Sequence, residues 1–431
     1  MPKKVLFFFP HNPYPPRSGA HQRCLEMLSG LRALGCATTL VSTKLFSDAP
    51  WEAASVGALE REWVERVLIY ETHSFDHYFR AALMRANRLL GRRGPLNSAL
   101  YNPPALRRWA ARICDRIEPD LAVINYAYWD GLLPRRAAPL TAIETHDLLT
   151  LNQRMREALQ QRLPAPPPAS LIDAAQVAED VLSDDFFDRL GLEADPEEFR
   201  IYDKYDYTIA ISAKEAALIR QRTKKTETLH IPMTQQVKRG QPSYDGAAVF
   251  VTGPNPFNLQ GYLYFVKHVL PRLRRQSPSF TLRVTGACCQ SELPAESVLL
   301  SGFVPDLKEV YESARFAICP VFGGTGEQVK VVEAMSYGVP VIVLRAVAES
   351  SPVRHGVNGM VANNAEEFAN YCAQLWSDQA LCQRLGQAAR ETVAADYSRS
   401  RLLEGLAKLV GQEPATTLSS SNAALPGAVV E

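Results

Sequence analysis

No apolar run in this 431-residue chain approaches the roughly 18 to 20 residues that a membrane-spanning helix needs. The opening MPKKVLFFFPHNPYPP holds too short an apolar run for a signal peptide, with prolines where a cleavage site wants small residues. It reads as a first buried strand. Neither sign of charge dominates: 47 Lys and Arg stand against 46 Asp and Glu. That balance argues against nucleic acid or another polyanion as a partner of the whole chain. The eight cysteines are scattered, apart from Cys288-Cys289, with no CxxC and no paired spacing. Reduced thiols in a cytoplasmic protein fit this better than disulfides or a metal site. There is no GxGxxG, so the usual dinucleotide fingerprint is missing. Neither a metal nor a bound cofactor is expected.

What is there is one dense stretch, Ile318 to Ile342, ICPVFGGTGEQVKVVEAMSYGVPVI. It reads as strand, glycine-broken loop (Gly323, Gly324, Gly326), helix, stop at Gly338-Val339-Pro340, and strand. Glycines let backbone amides point inward without a Cβ in the way. A helix start adds unpaired N–H groups and a partial positive charge, which favour an anion. Lys330 adds a full charge, and Glu333, three residues on, projects from the same side. A cation for phosphate beside a carboxylate for sugar hydroxyls suits a nucleotide-diphosphate ligand. The same pattern can also serve as a plain tight connection in an α/β protein.

The length exceeds one ordinary core, and two domains of about 200 residues fit. Lys4 to Phe9 is a continuous apolar strand. The amphipathic QRCLEMLSGLRALG and the strand Ala37 to Ser42 complete a βαβ opening. Gly19 sits before the helix, at the strand's carboxyl end, where ligands bind in such sheets. Leu121 to Asn125 and Thr141 to Thr145 are further strands, the second running into His146-Asp147. That pair either points into a cleft or is a buried histidine held by a carbonyl. From Phe75 to Cys114 come Arg80, Arg85, Arg88, Arg92, Arg93, Arg107, Arg108 and Arg112, with aromatic and aliphatic residues between and no acid from Asp76 to Asp115. This is either a solvated basic face or peripheral contact with an anionic membrane through Arg80–Arg112, with nucleic acid a third option. Residues 150 to 200, proline-rich and then acidic, read as a helical insertion or lid in the first domain.

The chain thus divides into a first Rossmann-like domain over 1–235, a linker from Gln235 to Gly246, and a second over 247–390. A C-terminal helix over 391–411 would pack back on the first domain, and the tail from Gln412 is low-complexity.

With both halves laid out, the chain resembles the family 4 glycosyltransferases, also described as glycosyl transferases group 1, whose fold is GT-B: two Rossmann-like α/β domains with parallel sheets facing across a cleft. FVTGPNPFNLQGYLYFVKHVLPRLRR looks like the opening of their donor domain, and SGFVPDLKEVYESARFAICP like the next block. GGTGEQVKVVEAMSYGVPVIV is similar to their signature in the Gly-Ser/Thr-Gly subgroup. PPRSGAHQR, THDL and EFRIYDKYDYTIAIS extend the likeness more loosely over the first half.

The resemblance implies a metal-independent, retaining glycosyltransferase acting from a nucleotide-diphosphate sugar on a hydroxyl acceptor. The setting would be cell-surface polysaccharide or lipid-linked glycan synthesis, at the cytoplasmic face of a membrane. Carried over, Glu333 would hold the donor ribose. Lys330 and the amides of Gly324, Thr325, Gly326, Glu327, Gln328 and Val329 would bind the diphosphate. Gly302, Phe303 and Val304 would face the base, Gly19 would admit the donor phosphates, and His146 would lie by the transferred sugar. Two departures stand out: Thr325 replaces a glutamate of the wider family, and GPNPFNLQG has neither of the expected basic residues. The second departure motivates an alternative, a non-catalytic nucleotide-sugar-binding scaffold of the same fold.

Overall fold

The computed structural model describes residues 2–90, 96–134, 136–163, 174–253, 255–286 and 295–412. Arg92, Arg93, the Pro164 to Pro168 run, Cys288-Cys289 and nearly all of the low-complexity tail lie outside these residues. The chain forms two compact units.

Of the described residues, unit 1 takes those within 2–150, 194–234 and 399–412. Its seven strands are β1 (Lys4–Phe8), β2 (Ala37–Thr43), β3 (Arg66–Tyr70), β4 (Leu121–Asn125), β5 (Leu140–Glu144), β6 (Tyr207–Ala210) and β7 (Glu227–His230). All pair in parallel in the order β3-β2-β1-β4-β5-β6-β7. Phe7 of β1 lies opposite Leu40 on one side and Val123 on the other. β1 and β4 read as unbroken apolar runs because each is covered on both faces. Phe7 and Val123 face one core layer and Phe8 and Ile124 the other. Helix Gly19–Ala33 buries Leu25, Leu28 and Leu31 in the first layer. There it meets helix Arg399–Leu409: a Cβ on Gly30 would come within 2.3 Å of Leu406 Cδ1, so glycine is what lets the two helices close. The expected C-terminal helix is therefore split. Gln379–Asp396 belongs to unit 2, and only Arg399–Leu409 belongs to unit 1.

Unit 2 comprises residues 151–193 and 235–398. Its strands are β8 (Ala248–Val251), β9 (Leu282–Thr285), β10 (Val298–Leu300), β11 (Ala317–Cys319), β12 (Val341–Leu344) and β13 (Gly359–Ala362). They form a second parallel sheet in the order β10-β9-β8-β11-β12-β13. In both sheets the strand order reverses once, between β1 and β4 and between β8 and β11. The carboxyl ends flanking such a reversal form a crevice.

The insertion at 150–200 was expected in the first domain, and the structure corrects this. Residues 151–163 and 174–193 pack with unit 2, burying Val181, Leu182, Phe186 and Phe187 in its core. Gln260 Nε2 donates to the carbonyl of Val181 at 2.8 Å, and Lys267 pairs with Glu179 at 2.9 Å. The apolar residues of this segment were masked in sequence by the acids between them.

Candidate functional site

In unit 2 the reversal point is a small polar cavity of about 220 Å³, lined by Thr252, Gly253, Asn255, Asn258, Gln328 and Lys330. Three local features build it. β11 ends at Cys319 and hands over to the glycine loop. Gly323 cannot be anything larger: a Cβ there would lie 2.5 Å from both the Phe187 and the Phe257 rings. Gly324 takes φ +104°, a conformation L side chains avoid. Helix Val329–Ser336 follows, and no side chain caps its start.

Lys330, in the first turn, hydrogen-bonds the Oδ1 of Asn258, and its ammonium lies 5.1 Å from the centre of the Phe250 ring. Asn258 in turn donates to the carbonyl of Gly253 at 3.1 Å. Asn258, in helix Pro256–Tyr264, was passed over in the sequence, where only the missing basic residues drew notice. It makes the lysine's position specific. The cavity falls below the roughly 300–1,000 Å³ usual for drug-sized ligands. Its size and donors fit a diphosphate.

The other expected donor-side residues also fall along the strand ends. Glu333 is half-buried, and desolvation pushes its carboxyl above the usual range, against the pull of Lys238. Tyr311 OH reaches it at 3.5 Å. Thr325 is nearly buried, while Gly326, Gln328 and Val329 are half-exposed. Glu327 is not among the residues that line the cavity; its carboxylate accepts from the Tyr397 hydroxyl. Gly302 turns the chain after β10 at φ +66°, leaving Phe303 exposed and Val304 half-buried. Gly286 closes β9 so tightly that a Cβ would meet the Thr252 carbonyl at 2.0 Å.

In unit 1 the reversal point is made of rings. His146 follows β5 and Tyr126 follows β4, at φ +60° and +68°, positions that cost a non-glycine residue about 1–3 kcal/mol each. Their rings stack at 4.1 Å with 16° between planes, and Phe9 lies 6.1 Å from the imidazole. His146 Nε2 is 2.7 Å from Asn125 Oδ1. Asn125 Nδ2 donates to the carbonyl of Phe8 at 2.8 Å, which fixes the amide's orientation. His146 must therefore carry its proton on Nε2, leaving Nδ1 as the acceptor nitrogen. Desolvation dominates its titration and pushes its pKa down to about 4, so the ring is neutral near pH 7.

The sequence offered a His146-Asp147 pair pointing into a cleft or a buried histidine held by a backbone carbonyl; the histidine is buried, and its partner is the side-chain amide of Asn125, the polar end of an otherwise apolar strand. Nearby, His21 Nε2 donates to Asp48 at 3.1 Å while its Nδ1 accepts from Arg17 N at 3.2 Å. Gly19 starts the helix, capped by Ser18, and nothing lies within 4 Å of where its Cβ would stand. Beneath His146, the fully buried Arg23 donates to Glu144 at 2.5 Å and to the carbonyls of Ile231 and Pro232.

The basic stretch is divided by its surroundings. Arg80 turns inward: its guanidinium lies 4.0 Å over the Phe46 ring and donates to the Leu100 carbonyl. Arg85, Arg88, Arg107, Arg108 and Arg112 are exposed. A larger cavity, about 730 Å³, opens near the starts of β5 to β7, where Asp203 and Asp206 are already satisfied by backbone amides. It lies away from the strand ends where ligands bind in such sheets.

Known structures of the same architecture cover nearly the whole chain. Anabaena HepE, solved with UDP and glucose, superposes with TM-score 0.57 at 14% identity, covering 95% of this chain and 99% of that one. S. aureus TarM, solved with UDP, fondaparinux and α-GlcNAc-glycerol, gives 0.60 at 10%, covering 95% and 100%. Sucrose-phosphate synthase from Thermosynechococcus elongatus gives 0.54 at 16%, covering 94% and 98%. At these identities the likeness speaks for the fold, which is GT-B. In sequence, the chain is 28% identical over 86 residues to the lipopolysaccharide core biosynthesis glycosyltransferase LpsE of Rhizobium meliloti. That match spans 20% of this chain and about a quarter (25%) of the relative. Residues 246–378 match the family described as Glycosyl transferases group 1, and that stretch holds the strand ends, glycine loop and Lys330 cavity of unit 2.

Proposed function

We propose that the protein is a retaining glycosyltransferase that moves a sugar from a nucleoside diphosphate to a hydroxyl acceptor. The observation that carries this is Lys330, held by Asn258 at an uncapped helix start in a diphosphate-sized cavity. Charge builds on the leaving diphosphate as its bond to the anomeric carbon breaks. A preorganised cation and helix start stabilise that charge in the transition state. The electron pair of the breaking C–O bond goes to the diphosphate. The acceptor oxygen bonds the anomeric carbon on the same face, and its proton passes to the departing phosphate oxygen.

Glu333 takes the ribose hydroxyls, and the exposed Phe303 ring stacks on the base. Neutral His146 offers Nδ1 to a hydroxyl of the transferred sugar. The acceptor is a growing cell-surface or lipid-linked glycan, reached from the cytoplasm. LpsE, named for lipopolysaccharide core synthesis, motivates this acceptor class.

The test is a thermal-shift panel of UDP-, GDP- and ADP-sugars, followed by turnover with the sugar that shifts most. Stabilisation by one donor, lost in Glu333→Ala, is expected, together with release of the nucleoside diphosphate. Stabilisation without transfer or hydrolysis would favour a non-catalytic binding protein. No stabilisation by any nucleotide sugar sinks the assignment.

A further inference from the structure

The helix Ser74–Leu89 has an inner side packed on the rest of unit 1 and an apolar stripe on its outer side. Its inner side, Asp76, Phe79, Arg80, Leu83 and Asn87, is buried or half-buried against unit 1. Asp76 accepts from Tyr70 OH and from the His73 backbone N–H, each at 2.9 Å, and so fixes the helix start. The outer side repeats the pattern: Phe75, Tyr78, Ala82, Ala86 and Leu89 follow one another at steps of three, four, four and three residues. Such spacing lines one face of a helix. All five are exposed, with Phe75 at 58%, Tyr78 at 74% and Leu89 at 82%. Five of the nine exposed large apolar side chains among the described residues fall between Phe75 and Leu90. Monomeric proteins rarely leave such a patch without a use.

We infer that this outer stripe is a docking face for an anionic lipid bilayer, on which the helix lies in the plane of the headgroups. The charges choose the occupant. Arg85 and Arg88 flank the stripe, and helix Pro104–Ile117 exposes Arg107, Arg108, Arg112 and Arg116. The acids among residues 74–117 are Asp76, which is buried, and Asp115. A second copy docked stripe to stripe would bring a second set of the same arginines to the seam, with no exposed acid on the helix to pair them. An anionic surface attracts every one of these groups. Aromatic and leucine side chains beside arginines are what an interfacial helix presents. At 1.5 Å per residue the stripe runs about 21 Å, long enough to lie along a membrane and too short to cross it. Arg80, turned toward Phe46, takes no part. The inference stands apart from the transfer chemistry, since it concerns adhesion alone.

The test is cosedimentation of the full chain with phosphatidylcholine vesicles, with and without phosphatidylglycerol, at low and high salt. Binding is expected only with phosphatidylglycerol and is reversed by salt. Phe75→Ser with Leu89→Ser, and separately Arg85→Glu with Arg88→Glu, should each weaken it by about tenfold or more. Both pairs are exposed, so unchanged unfolding midpoints would certify the fold. Binding that neither pair alters overturns the inference. So does absence of binding, including the case where sedimentation shows a dimer that Phe75→Ser with Leu89→Ser dissolves.

Discussion

Each sheet has a reversal point at the carboxyl ends of its strands, and the two are furnished in opposite ways. In unit 2 the edge is backbone: glycines at positive φ (Gly286, Gly302, Gly324) bring amides and carbonyls close at no steric cost. One lysine supplies the charge. In unit 1 the edge is side chains: Phe9, Tyr126, His21 and His146 make a drier surface, and two of its non-glycine residues sit in the left-handed region. The second edge can neutralise a diphosphate, which is charged and floods its site with field. The first can orient a neutral sugar, because its imidazole is kept uncharged and its tautomer is fixed. If this contrast holds, variants in unit 1 should disturb folding and orientation, and variants in unit 2 should disturb charge stabilisation.

The largest expected effect tests the scaffold under the ring edge. Arg23 and Glu144 are both fully buried, and the guanidinium's other bonds go to Ile231 and Pro232. Arg23→Met leaves Glu144 as an uncompensated buried charge, a loss of about 3–5 kcal/mol. Arg23→Met with Glu144→Met should recover most of it. Four of the five tryptophans (Trp51, Trp63, Trp109, Trp129) lie in unit 1, so urea unfolding followed by tryptophan fluorescence reads this directly. A single-variant loss under about 1 kcal/mol would mean the pair holds nothing.

Next comes the charge in the opposite edge. Lys330→Ala should lower kcat about 10²- to 10³-fold, the usual cost of one preorganised donor in the transition state. It should move the unfolding midpoint little. If the midpoint falls as far as in the Arg23 variant, Lys330 is a structural residue and the contrast between the edges fails.

The unit 2 edge was far more legible in the sequence than the unit 1 edge, for a physical reason. The glycine loop Gly323 to Gly326 and a lysine in the first turn of the helix that follows are local devices, written within eight consecutive residues. The ring edge is assembled from Phe9, Asn125, Tyr126 and His146, brought together only by strand order. His146 was visible at a strand end. Its partner was not: Asn125 lies 21 residues earlier, and the buried reading of the histidine expected a backbone carbonyl rather than a side-chain amide. Asn258 was hidden likewise, 72 residues before Lys330. The alternation of strands and helices gave both sheets, but which core residues 151–193 join depends on Val181, Phe186 and Phe187, interleaved with acids.

Asn125→Asp sharpens the orientation half of the contrast. A carboxylate at that position would stabilise the imidazolium and raise the His146 pKa from about 4. The parent's activity should carry no break from His146 between pH 5 and 8. The variant should lose activity on acidification at a clearly higher pH, with kcat down about 10- to 100-fold and the donor KM little changed. A donor KM that rises with no change in the pH profile would show that Asn125 serves only packing.

The smallest effect over any single pH unit comes from titrating groups around the His146 turn, and it separates two opposed slopes. His146 folds with a pKa of about 4 against an ordinary 6.5, with desolvation the main cause. Between those values the unfolded chain holds more protons, so stability rises with pH and is lost as pH falls from 6.5 toward 4. His11 and His21, also lowered by burial, add to the same limb. Glu215 runs the other way. Fully buried beside Thr145 and Asp147, it is pushed up to about 8, desolvation first, so the folded chain keeps a proton that the unfolded chain releases above about 4.5. Stability should fall as pH rises from 4.5 to 8, by no more than about 1.4 kcal/mol per pH unit from one group. Glu215→Gln should flatten the alkaline limb and leave the acid limb, and His146→Gln should do the reverse. Tryptophan-monitored unfolding from pH 4.5 to 8 reads both limbs. Should Glu215→Gln leave the alkaline slope intact, the carboxyl is ionised in the folded chain, and the dry character assigned to the unit 1 edge stops short of the turn that carries His146.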